Sequence, residues 1–387
     1  MADTGAGGGL SAARLLKLKA VIEGDIGKRR YFGAVIAVAR HGEIGLFEAL
    51  GHADRDRRRA LEKSSVFSIF SITKAFTNVL LFKAIESGEL ALTTRVSSII
   101  PQFSGGVRRT ITFYHLLTHS SGLPAVFTPR AGMYIDRLPE IIAAICENVH
   151  CEAIPGERVT YSPMAAHALI GEAIRRIDAR ERSYRQIVID EILEPLKLED
   201  TAIGLRPDLK SRHVVPHFID PMPIDHLGHS NLGPNGAFEE PDAQMPWVGA
   251  VSTTGDLLRF AEMLRQGGAL DGVRVLSPAL LDQATLNRTG DRPNELYKQL
   301  ALSRGWAPYP AYIGLGFSLR GEAICHHQFG TLSSPRTFGH AGAGSALFWV
   351  DPKLDLTFVC LTAGVMNEAD NVERFQRLSD LAIAAAE

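Results

Sequence analysis

Apolar residues recur at helical spacing over residues 11–27, where Leu15, Leu16, Leu18, Val21 and Ile22 alternate with charged positions and Gly27 supplies a stop. A run dense in apolar and β-branched residues follows, from Phe32 to Arg40. His41-Gly42-Glu43 then turns the chain into a second strand near Ile44–Leu50, which predicts a hairpin. A matching pair lies near the far end: Ser345–Val350, the turn Asp351-Pro352, and Leu356–Leu361. Helical spacing returns from Asn371 to Ala385, and the stretch from about 90 to 245 reads as mostly helical. The pattern predicts an α/β chain of the α+β kind, with one antiparallel sheet built from both termini and flanked by helices. Residues 1–387 form a single unit, in which 11–89 and 250–387 make the sheet part and 90–249 an inserted helical subdomain.

One segment breaks the periodicity. Residues 220–249 hold five prolines and four glycines, and a long irregular stretch between patterned ones shapes a binding site or is disordered. The remaining composition excludes more than it selects. With 387 residues and 45% hydrophobic content the chain buries a large core and is not collagen-like or a coiled coil. Lys and Arg number 41 against 43 Asp and Glu, so no overall field draws nucleic acid or an anionic membrane. The run Arg57, Arg58, Arg59 is mixed with Asp54 and Asp56 and reads as a solvated turn. Cys146, Cys151, Cys325 and Cys360 show no paired spacing, which suits free thiols in a reducing compartment. No basic stretch leads into an apolar one at the start, and no apolar run reaches about 18 residues. A cytoplasmic protein with neither a signal peptide nor a membrane span is expected.

Several catalytic signatures are missing. No serine has glycine two positions away on both sides, and neither a Walker loop nor GxGxxG occurs. His115 and His119, like His213 and His217, are four apart but lack the glutamate of HExxH and a third ligand. Cys325-His326-His327 lies in an alternating segment whose neighbours point to opposite faces. No metal or cofactor is expected.

What remains is Ser71-Ile72-Thr73-Lys74. Lys74 is the only lysine with serine three positions earlier and the sole charge between Phe67 and Phe82. A helix starting at Ser71 places Ile72, Ala75, Phe76, Val79 and Leu80 inside, with Gly88 as its stop. Burial lowers the pKa of an amine, and the three-residue spacing sets it beside the Ser71 hydroxyl. Such an amine can take a serine proton. Tyr161 precedes a second helix whose first turn carries Pro163, and its phenol is a candidate proton donor. The small residues from His340 to Gly344, leading into a strand, let a backbone N–H approach a ligand closely.

In this order, the three elements resemble the serine β-lactamase and penicillin-binding-protein superfamily, and within it the class C-like, family VIII carboxylesterases. Supporting stretches run over Gly33–Glu43, Ile111–Leu123 and Gly249–Leu257, and the resemblance spans roughly 30–365. It implies a β-lactamase-like fold, Ser71 as acylated nucleophile, Lys74 as its base, and Tyr161 as the tyrosine of the Y-x-N element. His340-Ala341-Gly342 falls where the family carries K-T-G, and the backbone N–H groups of Ser71 and Ala343 would hold the oxyanion. Two departures bear on substrate. Pro163 replaces the asparagine of Y-x-N, and His340 replaces a permanently charged lysine, so grip on anionic amides is lost while acylation chemistry is kept. These features predict a serine carboxylesterase with a small-molecule ester substrate. Acyl transfer to an alcohol, β-lactam or D-amino-acid amide hydrolysis, and a non-catalytic binding module are the alternatives. Trp247, Phe127, Tyr134, Met222, Met245, Gly342 and the Trp306–Tyr312 region are candidate pocket residues.

Overall fold

β1 (Gly33–Arg40) reads as an unbroken apolar run because both its faces are covered. It belongs to a computed structural model that describes residues 7–220, 231 and 236–386. β1 and β2 (Glu43–Gly51) turn at His41 and Gly42, whose φ values of 55° and 80° match the twist of the flanking strands. β3 (Ser318–Leu319), β4 (Phe338–Gly342), β5 (Ala346–Asp351) and β6 (Leu356–Ala363) complete an antiparallel sheet. Its order is β2-β1-β6-β5-β4-β3. β1 pairs with β6 from Gly33 opposite Ala363 to Arg40 opposite Leu356, so the two ends of the chain build one sheet. Both predicted hairpins are present.

Six helices bear on the site: α1 (Ala12–Gly27), α2 (Thr73–Glu86), α3 (Ala165–Ile177), α4 (Thr254–Arg265), α5 (Glu295–Ser303) and α6 (Glu368–Ile383). Alternation along β1 sends Ala34, Ile36 and Val38 to a layer closed by Leu18 and Ile22 of α1 and Phe375 and Leu378 of α6. Val35, Ala37 and Ala39 face a larger core shared with α2, α3 and α4. α6 begins three residues before the expected start because the Asn367 side chain caps it, accepting the Asp370 N–H.

The stretch from 90 to 249 is less helical than its pattern predicts. Residues 118–137 and 149–164 run as loops around the helices. A second, small sheet orders the strands Ala202–Ile203, Ala250–Ser252, Val66–Ser68 and His213–Val214. Strands of two or three residues are too short to show alternation, so this sheet has no legible sequence signal. It ties the chain just before α2 to the end of the inserted stretch. Among the described residues no helix is long and apolar enough to cross a membrane.

Phe76 of α2 is fully buried and meets the Phe260 ring edge-on, with centroids 4.6 Å apart. Phe76→Ala is expected to cost about 3–5 kcal/mol, read as a lower urea midpoint at unchanged slope.

Candidate active site

α2 is the axis of the site. A 3₁₀ turn over Phe70–Ile72 leads into it, so Ser71 stands on this tighter turn and the α-helix proper starts at Thr73. Every residue from Thr73 to Phe82 is buried. The helix is covered on all sides, rather than on the single apolar face that its pattern suggested.

Polar side chains on such a helix need partners. Thr73 Oγ1 accepts the Ala250 N–H at 3.0 Å, and Thr77 Oγ1 donates to the Pro246 carbonyl at 2.6 Å. Lys74 Nζ lies 2.9 Å from the Trp247 carbonyl and 2.9 Å from Ser71 Oγ. Asn78 donates to the Gly316 carbonyl and accepts from His167 Nε2. One helix face is therefore pinned to the Pro246–Ala250 backbone.

Tyr161 arrives from the loop before α3, and its O–H donates to Ser71 Oγ at 2.9 Å. Pro163 lies outside α3, which begins at Ala165, and Ser162 Oγ accepts the Ala166 N–H there. Ser71, Lys74 and Tyr161 thus converge on one oxygen. Lys74 is 0% exposed, and burial holds its amine well below the ordinary 10.5. Burial raises the Tyr161 phenol, against the pull of its bond to Ser71. Burial thus disfavours the charged form of both partners of the serine, the ammonium of Lys74 and the phenolate of Tyr161.

Histidines surround this pair. The His119 ring sits 4.7 Å from that of Tyr161, and its Nδ1 accepts the Ser162 N–H. Burial and the nearby Lys74 push His119 and His340 down to about 3, so both are neutral. His340 Nδ1 donates to the Ala341 carbonyl at 3.0 Å. His115 instead accepts the Thr112 N–H as part of a helix cap, and so does not act with His119.

Two backbone features set the geometry around Ser71. Phe70, directly before it, has φ 46°, a left-handed conformation that is strained for a bulky side chain. Its ring is held against Phe238 at 5.5 Å. Gly342, ending β4, runs so close to this turn that an added Cβ would lie 2.3 Å from the Ile69 carbonyl oxygen. This approach brings Gly342 and Ala343 to the cavity onto which Ser71 opens.

That cavity, of about 140 Å³, is walled by Phe127, Phe238, Trp247, Leu300 and other apolar groups. A second, more polar pocket on the other side of Tyr161 takes in His119, Asn294, Gln328 and His340. His340 therefore faces this pocket rather than the apolar one. Of the predicted pocket residues, Phe127, Trp247 and Gly342 line the cavity, as does Ala343, expected as an oxyanion donor. Tyr134 is not among its described lining residues; burial, Glu240 and Asp136 raise its phenol elsewhere. Met245 is fully buried core, Tyr309 lines the polar pocket, and Met222 lies outside the described residues. His119, Tyr297 and Glu368 also line the two pockets beside Ser71 and Tyr161, and their local spacing in the sequence carries no sign of it.

Gly342→Ala is expected to displace β4 from Ile69 and slow acylation about 100-fold in single-turnover measurements. Lys74→Met, apolar and of similar size, is expected to melt higher than wild type at pH 7 while losing acylation. An amine whose pKa falls on folding makes the wild-type fold gain stability as pH climbs toward 10.5, so the melting gap narrows between pH 7 and 9.

The Beta-lactamase family profile matches residues 18–383. Esterase EstB of Burkholderia gladioli is 27% identical over 384 residues, covering 91% of each chain. A penicillin-binding protein homologue from Caulobacter crescentus superposes with a TM-score of 0.77 at 24% identity, over 96% of this chain and 97% of that one. The crystal structure of a family VIII carboxylesterase superposes with a TM-score of 0.75 at 20% identity, over 97% and 99%. The serine, lysine and tyrosine gathered at α2, on a sheet built from both termini, sit in a chain that belongs to the β-lactamase and penicillin-binding-protein superfamily.

Proposed function

We propose that the protein cleaves carboxylic esters through an acyl-enzyme on Ser71. The observation that carries this is the pair of 2.9 Å approaches to Ser71 Oγ, from a buried amine and from a buried phenol. The neutral Lys74 amine takes the Ser71 proton as Oγ bonds to the ester carbon. Negative charge develops on the carbonyl oxygen, where the Ser71 and Ala343 N–H groups would meet it. As the carbon–oxygen bond to the alcohol breaks, the leaving oxygen takes the Tyr161 proton, and Lys74 returns one to Tyr161. Water then repeats the sequence in reverse roles and releases the acid.

The charge distribution favours esters over anionic amides. His340 is neutral where a K-T-G lysine would supply a cation, and Pro163 offers no side-chain amide. An alkoxide leaves with less proton assistance than an amine, so the loss of these contacts hinders esters least. The naming of EstB as an esterase and of a structural neighbour as a carboxylesterase agrees with this reading.

Ser71→Ala is expected to abolish p-nitrophenyl butyrate turnover and fluorophosphonate labelling while circular dichroism stays that of wild type. Undiminished turnover in that variant would refute the nucleophile assignment. Acylation of wild type should already be fast at pH 8, because the base is neutral far below an ordinary lysine's range. A rate that climbs only near 10.5 rules out Lys74 as the base. Lys74→Arg, permanently charged, should lose about 10²–10⁴ in kcat.

A further inference from the structure

Among the described residues, the cavity in front of Ser71 holds one carboxyl group. Among its described lining residues Glu368 is the only acidic or basic side chain. A carboxylate in the first turn of α6 suits the positive end of that helix, which accounts for an acid here. It does not account for the exposure of that acid to an apolar cavity beside the nucleophile. Glu368 Oε1 accepts from Gln328 Nε2 at 2.9 Å, and Oε2 accepts the Gly344 N–H at 3.4 Å. A carboxylate takes about four hydrogen bonds, so acceptor capacity is left toward the cavity. Tyr161, Tyr297, Trp247 and Phe127 present aromatic rings to the same space.

We propose that Glu368 is a specificity-determining residue that makes this cavity an ammonium site, so that the preferred esters carry a positively charged nitrogen in the part that fills it. The inference rests on the ester-cleaving reading of Ser71. A carboxylate and aromatic faces together, in a space poor in water, are the chemistry that holds a substituted ammonium. The same charge repels esters that bear a carboxylate, and the neutral His340 offers no compensating cation. Gly344, bonded to Glu368, follows Ala343 directly, so an ionised Glu368 opposes negative charge at the proposed oxyanion donor. A bound cation cancels that opposition, which a neutral ester cannot do.

Burial raises Glu368 to about 7, while the Gly344 and Gln328 bonds and Arg374 pull it down. Among the described residues the charged and titratable groups around it are few. Arg374 lies further along α6, and Asp370 in the first turn is paired with Arg304 at 3.0 Å. Tyr161, Tyr297 and Tyr309 are held protonated, chiefly by burial. Preference for a cation is therefore present above about pH 7, where Glu368 is ionised, and is lost below it.

Two isosteric pairs test this in the full-length protein. Butyrylcholine is set against 3,3-dimethylbutyl butyrate, and p-nitrophenyl 4-(trimethylammonio)butyrate against p-nitrophenyl 5,5-dimethylhexanoate. In at least one pair, kcat/KM for the cationic ester should exceed that for the neutral one by about ten-fold at pH 8.5. The ratio should collapse toward one at pH 5.5, and in Glu368→Gln it should be near one at both values. Turnover of these esters with no cationic preference, or with a preference that ignores pH and survives Glu368→Gln, overturns this inference and leaves the esterase reading standing. No turnover of any of the four, with Ser71 unlabelled by fluorophosphonate, sinks both.

Discussion

The anchoring of α2 to the Pro246–Ala250 backbone is the constraint on which the site depends. Thr73, Lys74 and Thr77 share one helix face and reach Ala250, Trp247 and Pro246 respectively. A helix buried on every side cannot let a polar group turn to water, so each of these residues must find a protein partner. The Trp247 carbonyl binds the amine without supplying a countercharge. Lys74 is thereby held in place while burial outweighs what the carbonyl dipole gives its cation, and the same bond orients the nitrogen toward Ser71.

Neutrality extends outward from that point. His119 and His340 are neutral at neutral pH, and burial disfavours the ammonium of Lys74 and the phenolate of Tyr161 in the same way. Proton transfers among such groups create charge only as the reaction proceeds, where low local dielectric makes hydrogen bonds from backbone amides most effective. Glu368 stands apart, a lining residue of the same cavity that burial raises to about 7.

Two distant parts of the chain are forced together around Ser71. The turn at Phe70 adopts a conformation unfavourable to its own side chain, and Gly342 passes where no Cβ fits. Neither is tolerable alone. Both are held because β1 and β6 lock the ends of the chain into one sheet, whose strand β4 runs alongside the turn, while the small sheet fixes the residues just before it.

Local pattern determined much of this. Both hairpins, α1, the apolar stretch from Phe67 to Phe82 with its single lysine, and the spacing of Ser71 to Lys74 are properties of neighbouring residues, and such properties can be read along a chain. Tyr161 and the small residues from His340 to Gly344 were legible locally as candidates, and resemblance alone tied them to Ser71, because their spacing does not relate them to it. Only tertiary structure decided that α2 is buried all round, that Tyr161 reaches Ser71 Oγ, that His340 turns to a separate pocket, and that Tyr134 stays out of the cavity. Glu368 shows the limit most clearly. In sequence it is an acid at a helix start, and its place near Ser71, nearly three hundred residues away along the chain, follows from the pairing of first and last strands. Hydrophobic period and capping act within a few residues, whereas contacts between remote segments depend on how whole layers pack.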